Sequence, residues 1–145
     1  LLHFNHISAE DCIPLRNKIL RPGKNAEECI FEGDYLKSTM HFGAFFDSEI
    51  IGILSIFKKN CIEIESSKQF QLRGMAVSSE FRKQNIGKKL LVFAESKIKE
   101  TQPSWIWCNA RSSAVSFYKK SGYEIISEEF LIPEVGPHFR MSKLV

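Results

Sequence analysis

The apolar residues of this 145-residue chain change period at Val77, and that change confines it to folds that mix strands with helices. Upstream, Met40 to Phe57 is rich in Phe and Ile and is broken only at Asp47, Ser48 and Glu49, which predicts a hairpin of two long strands. A turn at Ser66, Ser67 and Lys68 leads into a further strand, Phe70 to Val77. Downstream, Ile86, Leu90, Phe93, Ala94 and Ile98 recur at helical spacing, with Lys88, Lys89, Glu95 and Lys99 on the other face. Pro103 closes that helix.

The remaining segments follow the same two rules. Leu2 to Ile7 alternates as a short strand, and Ser8 or Asp11 can cap a helix carrying Leu15 and Ile19, with Pro14 expected in its first turn. Arg21, Pro22 and Gly23 stop it, and residues 26–38 read as a short irregular helical connection. Trp105 to Ala110 reads as a strand. Ser112 is expected to cap a short helix that groups Ala114, Phe117 and Tyr118 before Gly122 ends it. Two last strands, Tyr123 to Ile132 and His138 to Leu144, flank Pro133, Gly136 and Pro137. Glu63 and Glu65, alternating with Ile62 and Ile64, read as a solvated strand face.

Composition narrows function. The length suits a single domain over 1–145, and 43% hydrophobic with 26% charged residues places the chain among globular proteins. No apolar run approaches the roughly 20 residues of a membrane span, and with no basic segment followed by an apolar run at its start, secretion is not expected. Leu rather than Met at position 1 leaves room for residues upstream. A net charge of +3 with interspersed signs argues against nucleic acid as partner. Cys12, Cys29, Cys61 and Cys108 are spaced too widely for a zinc knuckle or a CxxC pair, so free thiols in a cytoplasmic setting are expected. His3 and His6 would point to opposite faces of a strand, and no metal is expected.

Chemistry concentrates between Leu72 and Leu91. A strand ends at Val77, a polar loop runs from Ser78 to Asn85, and a helix opens near Ile86 and Gly87. The start of a helix offers unpaired N–H groups and a positive dipole end, so it is a ready anion site. Gly87 allows close approach to the backbone, and Arg82, Lys83, Lys88 and Lys89 add positive charge. A Walker loop would need Gly in place of Arg82 and Ser or Thr in place of Lys89, and no GxGxxG occurs. On these residues alone, a solvated basic helix end and a phosphate site are equally good readings.

Arg82, Lys83, Gln84, Asn85, Ile86 and Gly87 resemble the pyrophosphate loop of the GNAT superfamily of acyl-CoA N-acyltransferases: Arg or Gln, two residues, Gly, one residue, then Gly or Ala. Asn85 stands where the family has its first Gly, and Asn is the non-glycine residue that best tolerates positive φ. Trp107, Cys108, Asn109, Ala110 and Arg111, then Ala114, Phe117, Tyr118, Gly122 and Tyr123, are similar to the superfamily's later Asn-Ala-Arg, Ala, Phe-Tyr and Gly-Phe/Tyr pattern. Leu72–Val77 and the Gly136, Pro137, His138 turn look like a branch of small bacterial members.

The resemblance implies a mixed, mostly antiparallel sheet of about seven strands, with helices on both faces and a splay between the strands near 70–77 and 105–110. It implies an N-acetyltransferase that moves an acetyl group from acetyl-CoA directly to a primary amine of a small molecule or peptide. The pantetheine arm would lie along main-chain groups of Met75, Ala76 and Val77 and be hydrogen-bonded by Asn109. Pyrophosphate would rest on Arg82, Lys83, Gln84, Asn85, Ile86, Gly87 and Lys88, with Phe117 and Tyr118 also against the cofactor. Tyr118 would protonate the departing thiolate, although on residues alone it reads as a core aromatic on the Phe117 face.

No base carries over, because Arg73 stands where some relatives have a Glu. His138 is a candidate base and His41 a weaker one. Cys108 is the rival nucleophile, with a buried structural thiol as the alternative. Strict alternation would put Arg73, Met75 and Val77 on one face, with Arg73 either lining the acceptor site or paired with Glu63, Glu65 or another carboxylate. The acceptor is left open, as is a non-catalytic acyl-CoA-binding module, and pairing of the hairpins or terminal strand would allow a homodimer.

Overall fold

The computed structural model describes residues 1–145 and divides the chain into two compact units, Leu1–Phe57 with Leu72–Lys97, and Lys58–Gln71 with Ile98–Val145. The architecture is mixed α/β with an open, mostly antiparallel sheet of eight strands.

In the first unit β1 (Leu2–His6), β2 (Met40–Phe46) and β3 (Glu49–Phe57) form an antiparallel ladder, with Leu2 opposite Phe46 and Met40 opposite Ile56. β4 (Gln69–Val77) neighbours β3 in the strand order, and its residues from Leu72 on belong to this unit. Asp47, at φ 54°, makes the hairpin turn. Two helices cover this sheet. Ile53 packs with Cys12, Leu15 and Ala76 on the side of α1 (Ala9–Leu15), whereas a Cβ on Gly52 would meet Ile86 and Leu90 of α2 (Ile86–Lys99) at 3.5 and 3.6 Å. Consecutive strand residues face opposite ways, so α1 and α2 lie on opposite faces. Phe93 of α2 adds ring contacts to Phe4 and Phe42.

Of the two candidate caps Ser8 is the one used, and Asp11 answers it from N3 in a reciprocal capping box. Pro14 falls beyond the first turn, inside the helix. Its ring removes one helical hydrogen bond, and the chain continues as a π-helical turn, Arg16–Leu20, before Arg21. A single 3₁₀ turn, Ala26–Cys29, capped by Asn25, is the regular part of the connection that follows.

In the second unit β5 (Trp105–Arg111) and β8 (Gly136–Leu144) pair antiparallel from Trp105 opposite Leu144 to Arg111 opposite His138. The first residues of β4 pair in parallel with β5 through Gln69, Phe70 and Gln71. The stretch from Tyr123 to Ile132 is not one strand. It divides into β6 (Glu124–Ile125) and β7 (Phe130–Ile132), both on β8, which raises the count from seven strands to eight. Residues 126–129 bulge out opposite Phe139 and Arg140, where Ser127 Oγ takes the Arg140 N–H that a continuous ladder would use.

Two further expectations fail locally. Ser112 is no cap, because it lies inside a 3₁₀ turn, Ser112–Ala114, ahead of α3 (Val115–Lys120), and its hydroxyl bonds Glu129. Glu63 and Glu65 lie in a loop, since Lys58 Nζ caps the carbonyls of Ser67 and Gln69, and Gln69 holds Cys61 N–H and the Ile64 and Ser66 carbonyls. No helix is long and apolar enough to cross a membrane, and no group of three His, Cys, Asp or Glu is placed to hold a metal.

Candidate acyltransferase site

In the first unit the end of β4, a 3₁₀ turn at Ser79–Phe81 and the start of α2 enclose the loop 82–85. Ser78 anchors it, donating its N–H to the Ile51 carbonyl at 2.7 Å. Lys83 (φ 68°) and Asn85 (φ 60°) are both left-handed, so Asn85 meets the demand the family places on Gly, and Lys83 meets a second one the sequence did not announce. Left-handed residues in such a turn gather successive N–H groups into an anion-binding concavity. The Asn85 carbonyl accepts the Lys89 N–H at 3.0 Å, so the N–H groups of Ile86, Gly87 and Lys88 are those left unpaired at the helix start. Arg82, Lys83, Gln84, Asn85 and Lys88 are exposed. Ile86 is buried, and only its backbone serves the loop. The Arg82 Nε–H donates to the Val77 carbonyl at 3.2 Å, so that main-chain acceptor is occupied.

β4 does not alternate as expected. Gly74 sits at φ 66°, which breaks the pleat. A Cβ there would lie 3.0 Å from the Phe31 ring, and the Arg73 guanidinium lies 4.5 Å from the centroid of that same ring. Two consecutive residues thus face Phe31, and strict alternation of Arg73, Met75 and Val77 on one face is corrected. Ala76 is buried, with Met75 and Val77 half-buried. Arg73 meets neither Glu63 nor Glu65 in an ion pair. Glu63 binds Arg140 at 2.8 Å.

Beneath this strand lies a polar network with no single-sequence signal. Arg16 is fully buried and grips Asp34 through two hydrogen bonds, 2.6 and 3.0 Å, and reaches the Cys29 carbonyl and Ser55 Oγ. His41 donates from Nε2 to the Asp34 carbonyl at 2.9 Å and has Ser55 Oγ at 2.6 Å from Nδ1. Both ring nitrogens are committed, so His41 has no free site for a substrate proton. Burial pushes Asp34 up, but Arg16, the Phe31 N–H and His41 outweigh it and hold the carboxyl below its usual value. Burial raises the Cys12 thiol to about 11.

In the second unit Cys108 and Asn109 are neighbours on β5, and Tyr118 on α3 is buried against Tyr123. Burial, then the adjacent Cys108, drives the Tyr118 phenol well above its ordinary value, so it stays protonated. Burial likewise pushes the Cys108 thiol up to about 12. A thiol so raised supplies almost no thiolate near neutrality, which disfavours it as a nucleophile. Phe117 packs edge-on against Tyr118. Asn109 is half-buried, and its Oδ1 accepts from Arg140 Nε at 3.0 Å, leaving its amide N–H groups as the part able to reach a ligand. Arg140, held by Glu63 and stacked over Trp107, fixes that orientation. His138 is buried, stacks on Phe130 and donates from Nδ1 to the Gly136 carbonyl at 2.8 Å, which leaves Nε2 as the lone-pair nitrogen.

Comparison with known proteins decides the family. Residues 8–144 match the family model described as Acetyltransferase (GNAT) domain. The chain belongs to the GNAT acetyltransferases. It is 34% identical over 143 residues to the protein named as uncharacterized N-acetyltransferase YitI of Bacillus subtilis (strain 168), covering 99% of this chain and 96% of that protein. The GNAT fold is shared with solved structures at low identity. Escherichia coli ElaA superposes with a TM-score of 0.81 at 16% identity and 99% coverage of both chains. An aminoglycoside 6'-N-acetyltransferase complexed with coenzyme A superposes at 0.75 and 17%, covering 98% of this chain and 96% of the other. As a GNAT domain the chain is an acyltransferase enzyme, which sets aside the non-catalytic module.

Proposed function

We propose that this enzyme moves an acetyl group from acetyl-CoA to a primary amine by direct attack in a ternary complex. The observation that carries the reading is the loop before α2, where left-handed Lys83 and Asn85 gather backbone N–H groups ahead of three unpaired ones at the helix start. That chemistry fits a pyrophosphate. Gln84, Gly87 and Lys88 complete the set that would hold it, and the exposed Lys83 and Lys88 supply charge. Main-chain groups of Met75 and Ala76 would take the pantetheine arm, with the Asn109 amide and Phe117 also assigned to it. Acetyl-CoA supplies an acyl thioester that a neutral amine can attack.

As the carbon–nitrogen bond forms and the carbon–sulfur bond breaks, Tyr118 gives its phenolic proton to the leaving sulfur. The phenol holds its proton near neutrality, as the donor must, while burial makes it a weaker acid than an exposed tyrosine. The amine's own proton passes to His138 Nε2, the imidazole nitrogen left free by the Gly136 bond, or to water. Four buried free thiols suit a reducing cytoplasm.

The test is release of free coenzyme A thiol from acetyl-CoA with a panel of amines, alongside calorimetric binding of acetyl-CoA. Tyr118→Phe is expected to lower kcat about 10²- to 10³-fold with acetyl-CoA affinity unchanged. Tight binding without thiol release on any amine would overturn transfer to an amine acceptor. Unchanged kcat in Tyr118→Phe would remove the acid from this residue.

A further inference from the structure

Three guanidinium groups surround one phenyl ring in the first unit. The Arg16, Arg73 and Arg21 carbons lie 3.8, 4.5 and 5.0 Å from the Phe31 centroid. Clustered like charges repel unless anions separate them. The anions in place do not suffice. Asp34 is committed to Arg16, with the Phe31 N–H on the same carboxylate. Arg21 is met by a neutral carbonyl, that of Glu28, whose carboxylate instead accepts from Asn25 N–H. Glu32 is exposed and forms no ion pair with Arg73.

Counted in donors, the cluster is short of acceptors. Arg73 is half-buried on β4 and makes no hydrogen bond or ion pair, so its five N–H donors are unfilled by protein. Independently, Arg16 Nε is buried without a partner, 3.5 Å from where a Gly74 Cβ would stand. Burial and then the charges of Arg16 and Arg21 lower the Arg73 pKa, outweighing the smaller opposite effects of Asp34 and Glu32. The broken pleat at Gly74 keeps that position free of a side chain, beside the same ring. A planar guanidinium with open donors selects a carboxylate, which accepts two of them in parallel.

We propose that Arg73, with Arg21 beside it on the Phe31 ring, binds a carboxylate of the acceptor, so that the substrate amine belongs to a small amino acid or amino-acid derivative rather than a polyamine. This rests on the acetyl-transfer reading in one respect. Arg73 precedes Met75 by two residues, about 7 Å along a strand, so a carboxylate held there leaves its amine one short molecule away from the segment assigned to the pantetheine arm.

The experiment compares kcat/KM for amino acids, their carboxamides, O-phosphoethanolamine and spermidine in wild type and Arg73→Gln. Expected is a preference of about tenfold or more for an acid over its own amide, collapsing in Arg73→Gln through a KM increase of about ten- to a hundredfold. Equal use of acid and amide, preference for spermidine or O-phosphoethanolamine, or a preference that survives the substitution overturns the proposal. Arg21→Gln provides the same comparison if Arg73→Gln does not fold. Binding of N-acetylglycine and N-acetylglycinamide to coenzyme A-loaded protein, followed by NMR, is the readout free of turnover. If no amine reacts but the acid probe alone binds, and only with Arg73 present, the anion site stands and acetyl transfer falls. If amines turn over but the acid and amide probes bind alike, acetyl transfer stands and the anion site falls.

Discussion

Arg16→Met should unmask what the buried pair under β4 contributes. The substitution roughly conserves side-chain volume but strips Asp34, whose side chain is 1% exposed, of contacts at 2.6 and 3.0 Å. Removing one member of such a pair costs about 3–5 kcal/mol, because the remaining charge stays desolvated and uncompensated. Folded domains hold about 5–15 kcal/mol in total, so the loss is a large fraction of stability. Replacing both members with apolar residues should cost much less. Arg16→Met/Asp34→Leu is therefore expected to recover more than half the deficit, short of full recovery because the Phe31 N–H also loses its acceptor.

The pH dependence carries a sign. Wild-type Asp34 has its pKa depressed on folding, so its contribution is present above the unfolded value, near 3.9, and is lost as pH falls through the folded value. Without Arg16, burial is the largest influence left and pushes that pKa up, so protonation relieves the variant. Its deficit should narrow between pH 7.5 and pH 5. Urea denaturation followed by circular dichroism measures both effects. A single-variant cost below about 1 kcal/mol at pH 7.5, or a double variant no better than the single, would refute the reasoning.

Gly87→Val should weaken coenzyme A binding at least tenfold by calorimetry, since the side chain obstructs the N–H groups that no other residue replaces. Cys108→Ala should retain turnover, and Cys108 in the folded protein should resist maleimide at pH 7, its thiolate fraction being on the order of 10⁻⁵ with a thiol near 12. Gly74→Ala should cost about 1–2 kcal/mol from the left-handed backbone alone, with more from a Cβ at 3.0 Å from Phe31. A melting temperature lowered by about 2–8 °C checks it.

Where structure depends on neighbours in sequence, the residues themselves were sufficient. The switch of apolar period at Val77 placed β2, β3, β4 and α2, because alternation and helical spacing are properties of a few consecutive side chains. The cap at Ser8, one of two candidates, forms with Asp11 three positions on. Asn85 replaces a glycine where only positive φ will close the loop, and φ 60° is what it adopts. The later motif, Asn109 to Tyr123, was legible only through its resemblance to the family, since on residues alone Tyr118 reads as a core aromatic. Gly74 inside a strand pattern was a signal for a broken pleat that the alternation argument passed over.

What the tertiary structure decided are the partners of the charged residues, since a guanidinium or carboxylate binds whatever the fold brings near. Glu63 looked available to Arg73 yet pairs with Arg140, 77 residues away. Asp34 goes to Arg16, 18 residues away across an irregular connection. Ser112 has the chemistry of a helix cap, but its hydroxyl is taken by Glu129. Ser127 divides a continuous β-rich run in two by intercepting one N–H of β8. Local pattern determines backbone period, because sterics and side-chain spacing act within a turn or a strand. Long-range packing determines which donors are filled, and so leaves Arg73 open on the Phe31 ring.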